Sequence, residues 1–184
     1  SIVFAERSTT SLNIAHLHCE TTSSFKDDVE NKLVSSGVFA SISSVDLRFV
    51  TPSIAELMLF DAVLIYGGSG SYADKLTLSN NLADYVDAGG GLVTGLFVTG
   101  SGSGGGGQPW ILNGRFLSGG YYAIEPAGQA QGVRRFLGTV HDSGHPIMES
   151  VSIFDGGSSS YQTTGVLASG ATRVADWSDG RILV

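Results

Sequence analysis

Two histidine clusters and two glycine-rich turns carry most of the chain's chemical options. The first cluster is NIAHLHC (13–19), with His16, His18 and Cys19. A cysteine with a histidine at hand can serve as an activated nucleophile. Adjacent residues of a strand point to opposite faces, however, so His18 and Cys19 do not serve each other. His16 and His18 share one face, which suits a buried or half-buried structural role, and a free cysteine is most often a small core residue. The second cluster is HDSGH (141–145). On a helix its two histidines, four apart, could share a zinc ion, but Gly144 and Pro146 argue against a helix there. Glu149 and Asp155 read as turn carboxylates, and Arg134-Arg135 as a solvated or ion-paired basic step.

Gly100, Gly102 and Gly105 spell G-x-G-x-x-G after an apolar run. A phosphate cradle needs a helix to open directly behind that pattern, with its N-terminus facing the anion. The next residues are Gly106-Gly107-Gln108-Pro109-Trp110, a poor helix start, and no Gly-Lys-Ser/Thr is present. Gly68-Ser69-Gly70-Ser71-Tyr72-Ala73 is better placed, between a strand and a helix, yet lacks the acidic residue that would hold a ribose. It reads as a tight turn.

The elements that must position these residues alternate. NIAHLHC is a strand. Phe25, Val29 and Leu33 recur with helical spacing, with Ser24 and Asp27 as a capping pair and Gly37 as the stop. VDLRF (45–49) reads as a strand, and Pro52 as the first residue of a short helix with Ile54, Leu57 and Met58 on one face. DAVLIYGG (61–68) is the continuous apolar run of a strand covered on both faces. Leu78, Leu82, Tyr85 and Val86 predict a helix stopped by Gly89-Gly90-Gly91, and GLVTGLFV (91–98) a further buried strand. The order predicts an α/β fold with a parallel, doubly wound sheet. After residue 98 the chain reads as strand-rich: YYAIEP (121–126), VRRFLGTV (133–140), and a hairpin through Ser178-Asp179-Gly180. The expected organisation is one α/β domain. It comprises a lead-in (1–12), a βα core (13–98), a Gly-rich loop (99–120) and a strand-rich part (121–184). Its ends read as cuts within a longer protein.

Composition narrows the function classes. The formal charge is −7 with 10 Lys+Arg, so there is no electrostatic footprint for nucleic acid. No apolar run is long enough for membrane insertion. One cysteine excludes an internal disulfide framework, and no cofactor or metal site is predicted.

Several stretches in order resemble the ThuA-like (trehalose-utilisation-like) branch of the class I glutamine amidotransferase-like fold. LADYVDAGGGLVTGLF (82–97) resembles its helix-to-strand passage and FDAVLIYGG its preceding strand. GHPIMESVSIF resembles its His-Pro-Ile turn, and ATRVADWSDGRILV its late hairpin. The resemblance implies a flavodoxin-like three-layer sandwich. It also implies that amidotransferases place a nucleophilic Cys, and ThuA-like members often a His, near the turn where this chain reads Leu96, Phe97, Val98 and Thr99. None of these is Cys or His, and the hydroxyls of Thr99 and Ser101 have no local base.

The leading expectation is therefore a non-catalytic structural or binding module of a larger multidomain protein or assembly. Its partners would be other chains or domains of that assembly, with glycans as a further class. The alternatives are a divergent hydrolase or amidotransferase-like enzyme acting on sugars or amides, and a carbohydrate-binding module. Any small ligand is expected at the carboxyl ends of the strands, touching His18, Cys19, Tyr66, Gly68 and Thr99. Trp110, Arg115, Phe116, Tyr121 and Tyr122 are the candidate contact loop, or else a satellite core beneath it. Low lysine with abundant Gly and Ser slightly favours an extracellular or surface assembly over an intracellular one.

Overall fold

The computed structural model describes residues 12–99, 110–131, 133–158 and 160–184. The Gly100–Gly102–Gly105 pattern and most of the Gly-rich loop lie outside them. Strands β1 (Leu12–His18), β2 (Phe39–Asp46), β3 (Ala62–Tyr66) and β4 (Gly91–Thr94) form one parallel sheet in the order β2-β1-β3-β4. This is a flavodoxin-like order. Helices α1 (Ser23–Ser36), α2 (Ile54–Leu57) and α3 (Lys75–Asp87) make the crossovers.

Alternation along β1 divides the molecule. Ala15, Leu17 and Cys19 point into the main core with Val63 and Ile65 of β3 and Leu78, Leu82 and Tyr85 of α3. His16 and His18 point the other way, and His16 meets Glu30 of α1. Helix α3 forms as its spacing predicts. Asp74 caps it by accepting from the Thr77 N–H at 3.0 Å, and Tyr85 donates its hydroxyl to the Phe60 carbonyl at 3.1 Å.

Several element ends differ from those the sequence predicts. Strand β2 runs over Phe39–Asp46 where the sequence predicts 45–49; the segment is rich in serine because it is an edge strand, half open to solvent. Strand β4 stops at Thr94. Gly95 donates its N–H to the Ile65 carbonyl, and the chain turns into the short helix α4 (Leu96–Thr99) where a continuing strand was expected. Helix α1 starts behind Thr22, with no side-chain cap, so the Ser24–Asp27 pair does not cap it; Gly37, at φ 67°, does end it. Helix α2 is capped by Ser53 and Glu56 in a reciprocal capping box, which leaves Pro52 just ahead of the cap. On α1, Phe25 is 62% exposed, so the expected apolar face is reduced to half-buried Val29 and Leu33.

The second half is antiparallel and strand-rich. Helix α5 (Gly114–Ser118) is followed by β5 (Gln129–Gln131), β6 (Leu137–Val140), β7 (Tyr161–Thr163) and β8 (Ala175–Trp177), paired as β5-β7 and β6-β8. Residues 121–126 contribute one isolated bridge, Ile124 to Leu167, in place of the expected strand. The hairpin at 178–180 forms, with Gly180 at φ 85° and Asp176 bridging Ile182. The core prediction is direct. Leu82 is fully buried, and Leu82→Ala should lower unfolding free energy by about 2–5 kcal/mol in urea titration. A loss well below about 1 kcal/mol would mean that α3 does not sit on the sheet as described.

Candidate functional site

The carboxyl ends of β1 and β2 meet a cavity of about 290 Å³, roofed by the start of α1. It is lined by five charged or titratable side chains, His18, Glu20, Lys26, Asp46 and Arg48, and by the hydroxyls of Thr21, Ser23 and Ser44. Their order follows from the fold. His18 is the last residue of β1 and pairs in register with Asp46, the last of β2, while Arg48 and Glu20 lie two residues beyond those ends.

Each group is held. The Glu20 N–H donates to His18 Nδ1 at 3.3 Å, so the neutral imidazole carries its proton on Nε2. Burial lowers the His18 pKa, and the opposing pull of Asp46 does not offset it. Glu20 Oε1 accepts from the Ser69 hydroxyl at 2.5 Å, the Thr21 N–H at 3.1 Å and the Ser69 N–H at 3.3 Å. The carboxylate thereby ties the end of β1 to the turn after β3. Gly68 leaves room for this carboxylate: a Cβ there would come within 2.5 Å of Glu20 Oε2 and push it aside. Asp46 receives Arg48 Nε at 2.9 Å and Nη2 at 2.6 Å, and this guanidinium holds the Asp46 carboxyl below its ordinary range. Lys26 lies 2.7 Å from Asp27 and 2.8 Å from Glu30, which hold it protonated.

Behind the cavity, beneath α1, His16 Nδ1 is 3.2 Å from Glu30 Oε1. Burial would raise the Glu30 pKa. Hydrogen bonds from Lys26, Ser44 and His16 outweigh it and hold the group at about 2. The His16 ring stacks on Tyr66, with centroids 5.3 Å apart and planes 13° apart.

The structure therefore brings together His18, Cys19, Tyr66 and Gly68 at one end of the sheet, though not on one face. Cys19 is buried in the main core on the opposite side of β1 from His18. Burial pushes its thiol up against the lowering effect of N–H groups from Gly68 and Gly70. Thr99 lies elsewhere, in a separate cavity of about 380 Å³ beside β4, lined largely by apolar residues such as Val93, Ile124, Val174 and Val184. His145 borders that second cavity, whereas His141 bonds to Asp176 at 2.8 Å. Among the described residues, no group of three or more His, Cys, Asp and Glu side chains could hold a metal ion.

Of the candidate contact residues, Phe116 and Tyr122 are buried in the main core, and Tyr122 donates its hydroxyl to the Val98 or Leu112 carbonyl. Arg115 and Tyr121 engage Asp87 on α3, and Arg115 also meets Asp84. Half-buried Trp110 packs on Gly67 and edge-on to Phe97. Arg134 and Arg135 are each ion-paired, to Asp155 and Asp179.

Sequence reasoning missed Glu20, Lys26, Glu30, Asp46 and Arg48. The available signal was position: Asp46 ends β2, Glu20 and Arg48 lie two residues past strand ends, and Lys26 and Glu30 stand four apart in the first two turns of α1.

No family model matches the chain, and no curated protein matches it. A solved structure from Bacteroides uniformis ATCC 8492, described as a "Putative thua-like protein", superposes with a TM-score of 0.55 over 89% of this chain. The fold is ThuA-like. Identity across the match is 14%, and the chain spans 64% of the length of that structure. Among the described residues no helix is long and apolar enough to cross a membrane.

The Glu30 clasp carries a pH signature. A carboxyl depressed in the folded state stabilises above its unfolded pKa of 4.5, and that stability is lost as pH falls towards about 2. Urea titrations of the wild type should lose stability steeply over this window, and Glu30→Gln should be less stable at pH 7 with a flatter acid limb. Parallel pH profiles for the two proteins would contradict the clasp.

Proposed function

We propose that this chain is a binding module, not a catalyst, within a larger protein, and that it takes a small neutral ligand rich in hydroxyl groups at the carboxyl ends of β1 and β2. The observation that carries this reading is the cavity's charge balance. Two cations, Lys26 and Arg48, face two anions, Glu20 and Asp46, and burial keeps His18 neutral. A phosphate or carboxylate would meet cations already engaged by Glu30, Asp27 and Asp46. A neutral polyol would find fixed donors and acceptors side by side, as small-ligand sites require. The carboxyl end of an open α/β sheet is also the place where such folds put their ligands.

Non-catalysis is supported by the same geometry. The thiol of Cys19 is buried and held protonated, away from either histidine. The turn after β4 offers Phe97, Val98 and Thr99, and Thr99 lines a different cavity from His18. Association with further domains or chains of the same protein belongs to this reading. A sugar or amide hydrolase is the contrary case.

Isothermal titration with a panel of neutral hexoses tests the reading. At least one hexose should bind, inorganic phosphate should not compete, and Arg48→Ala should weaken binding about tenfold or more, the scale of a lost charge-assisted hydrogen bond. Absence of hexose binding overturns the ligand class. Turnover of a glycoside or amide that disappears in His18→Gln overturns the non-catalytic role.

A further inference from the structure

Two buried polar atoms beneath α1 have no hydrogen-bond partner among the described residues: His16 Nε2 and the Tyr66 hydroxyl. Native interiors rarely leave such groups unmatched, because an unpartnered buried donor or acceptor costs its full desolvation. These two occur together. They belong to stacked rings 5.3 Å apart on neighbouring strands, on the face of the sheet that also carries His18. His16 is fully buried.

Their roles are fixed and opposite. Glu30 is ionised and accepts only, so His16 Nδ1 must be the donor of that bond. Burial keeps the ring neutral, which leaves Nε2 as a bare lone pair seeking a donor. Burial likewise raises the Tyr66 hydroxyl to about 12, so it keeps its proton and seeks an acceptor. One missing partner is a donor and the other an acceptor. An alcohol, like a water molecule, supplies both; a carboxylate cannot donate to Nε2, and an ammonium cannot accept from Tyr66.

We propose that His16 and Tyr66 form a hydroxyl-recognition pair under α1, which receives either one hydroxyl or two neighbouring hydroxyls of the ligand held in the adjoining polar cavity. This assignment rests on the polyol reading above and names the part of the ligand that reaches beneath the helix. The pair lies behind the cavity's lining, next to His18, so a hydroxyl that passes His18 to reach it adds a choice among isomers to the one made by buried His18 and Glu20. Helix α1, with no fully buried side chain of its own, is the element that covers the pair.

The test uses the tightest hexose of the panel and its monodeoxy analogues, with wild type and Tyr66→Phe, a substitution that keeps the ring stack. In the wild type, removal of one particular hydroxyl, or of one adjacent pair, should weaken binding about threefold to tenfold more than removal of the others, the scale of a neutral hydrogen bond. In Tyr66→Phe that selective penalty should vanish while the dependence on Arg48 persists. The imidazole ¹⁵N signal of His16 Nε2 should also move on addition of the hexose and stay unmoved by the matching deoxy analogue. If every deoxy penalty is the same in wild type and Tyr66→Phe while Arg48→Ala still weakens binding about tenfold or more, the pair is not a recognition element and the cavity reading stands. If the His16 signal is indifferent to ligand, the orphaned atoms hold only water and the proposal fails. If no hexose binds the wild type, both readings fall.

Discussion

Everything on the histidine face of this molecule depends on one constraint: β1 has to satisfy two different neighbours at once. Its side chains alternate, so every apolar residue given to α3 leaves the next one facing α1. Ala15, Leu17 and Cys19 go to the main core, which leaves His16 and His18 buried on the other face. Two buried imidazoles cannot be covered by an ordinary apolar helix without unmatched nitrogen atoms. Helix α1 therefore brings Lys26 and Glu30 to the sheet, and its hold is a polar clasp instead of a packed apolar ridge. The polar cavity is the open end of that layer, where the strands stop and the clasp runs out of partners.

The two halves of the chain divide the work differently. The core between the sheet and α3 is closed by fully buried residues such as Leu78, Leu82 and Tyr85, and it is reinforced from the second half by Phe116 and Tyr122. The antiparallel part has its own small cluster around Met148, Val174 and Ala175. Its ion pairs, Arg134 with Asp155, Arg135 with Asp179 and Arg173 with Asp176, fasten turns to one another and stand apart from the cavity.

The legible part of the sequence was the part that local periodicity encodes. DAVLIYGG announced a doubly covered strand, Leu78, Leu82 and Tyr85 announced α3, and Asp179-Gly180 announced the last hairpin. The shared face of His16 and His18 was also legible, since it needs only the period of two. The cavity was not, for two physical reasons. Its charged residues come from three segments that meet only through parallel pairing, and nothing local links Glu20 to Ser69 or His18 to Asp46. The end of β2 was also misplaced, because the polar serines of an edge strand hid its register. With the strand drawn over 45–49, Asp46 stood near its start and neither Asp46 nor Arg48 at its carboxyl end. Phe116 and Tyr122 show the converse: aromatics flanking glycines can be either surface or core, and only α3 decides between them.

The place where a hydroxylated ligand touches the chain is the deciding observable. Backbone ¹H–¹⁵N shift mapping during titration with the tightest neutral hexose measures it most directly. Perturbations are expected at the ends of β1 and β2, at the start of α1 and at the turn after β3, around His18, Glu20, Lys26, Arg48 and Ser69. Perturbations centred instead on the second cavity, around Val93, Thr99 and Tyr161, would contradict the assignment of the site.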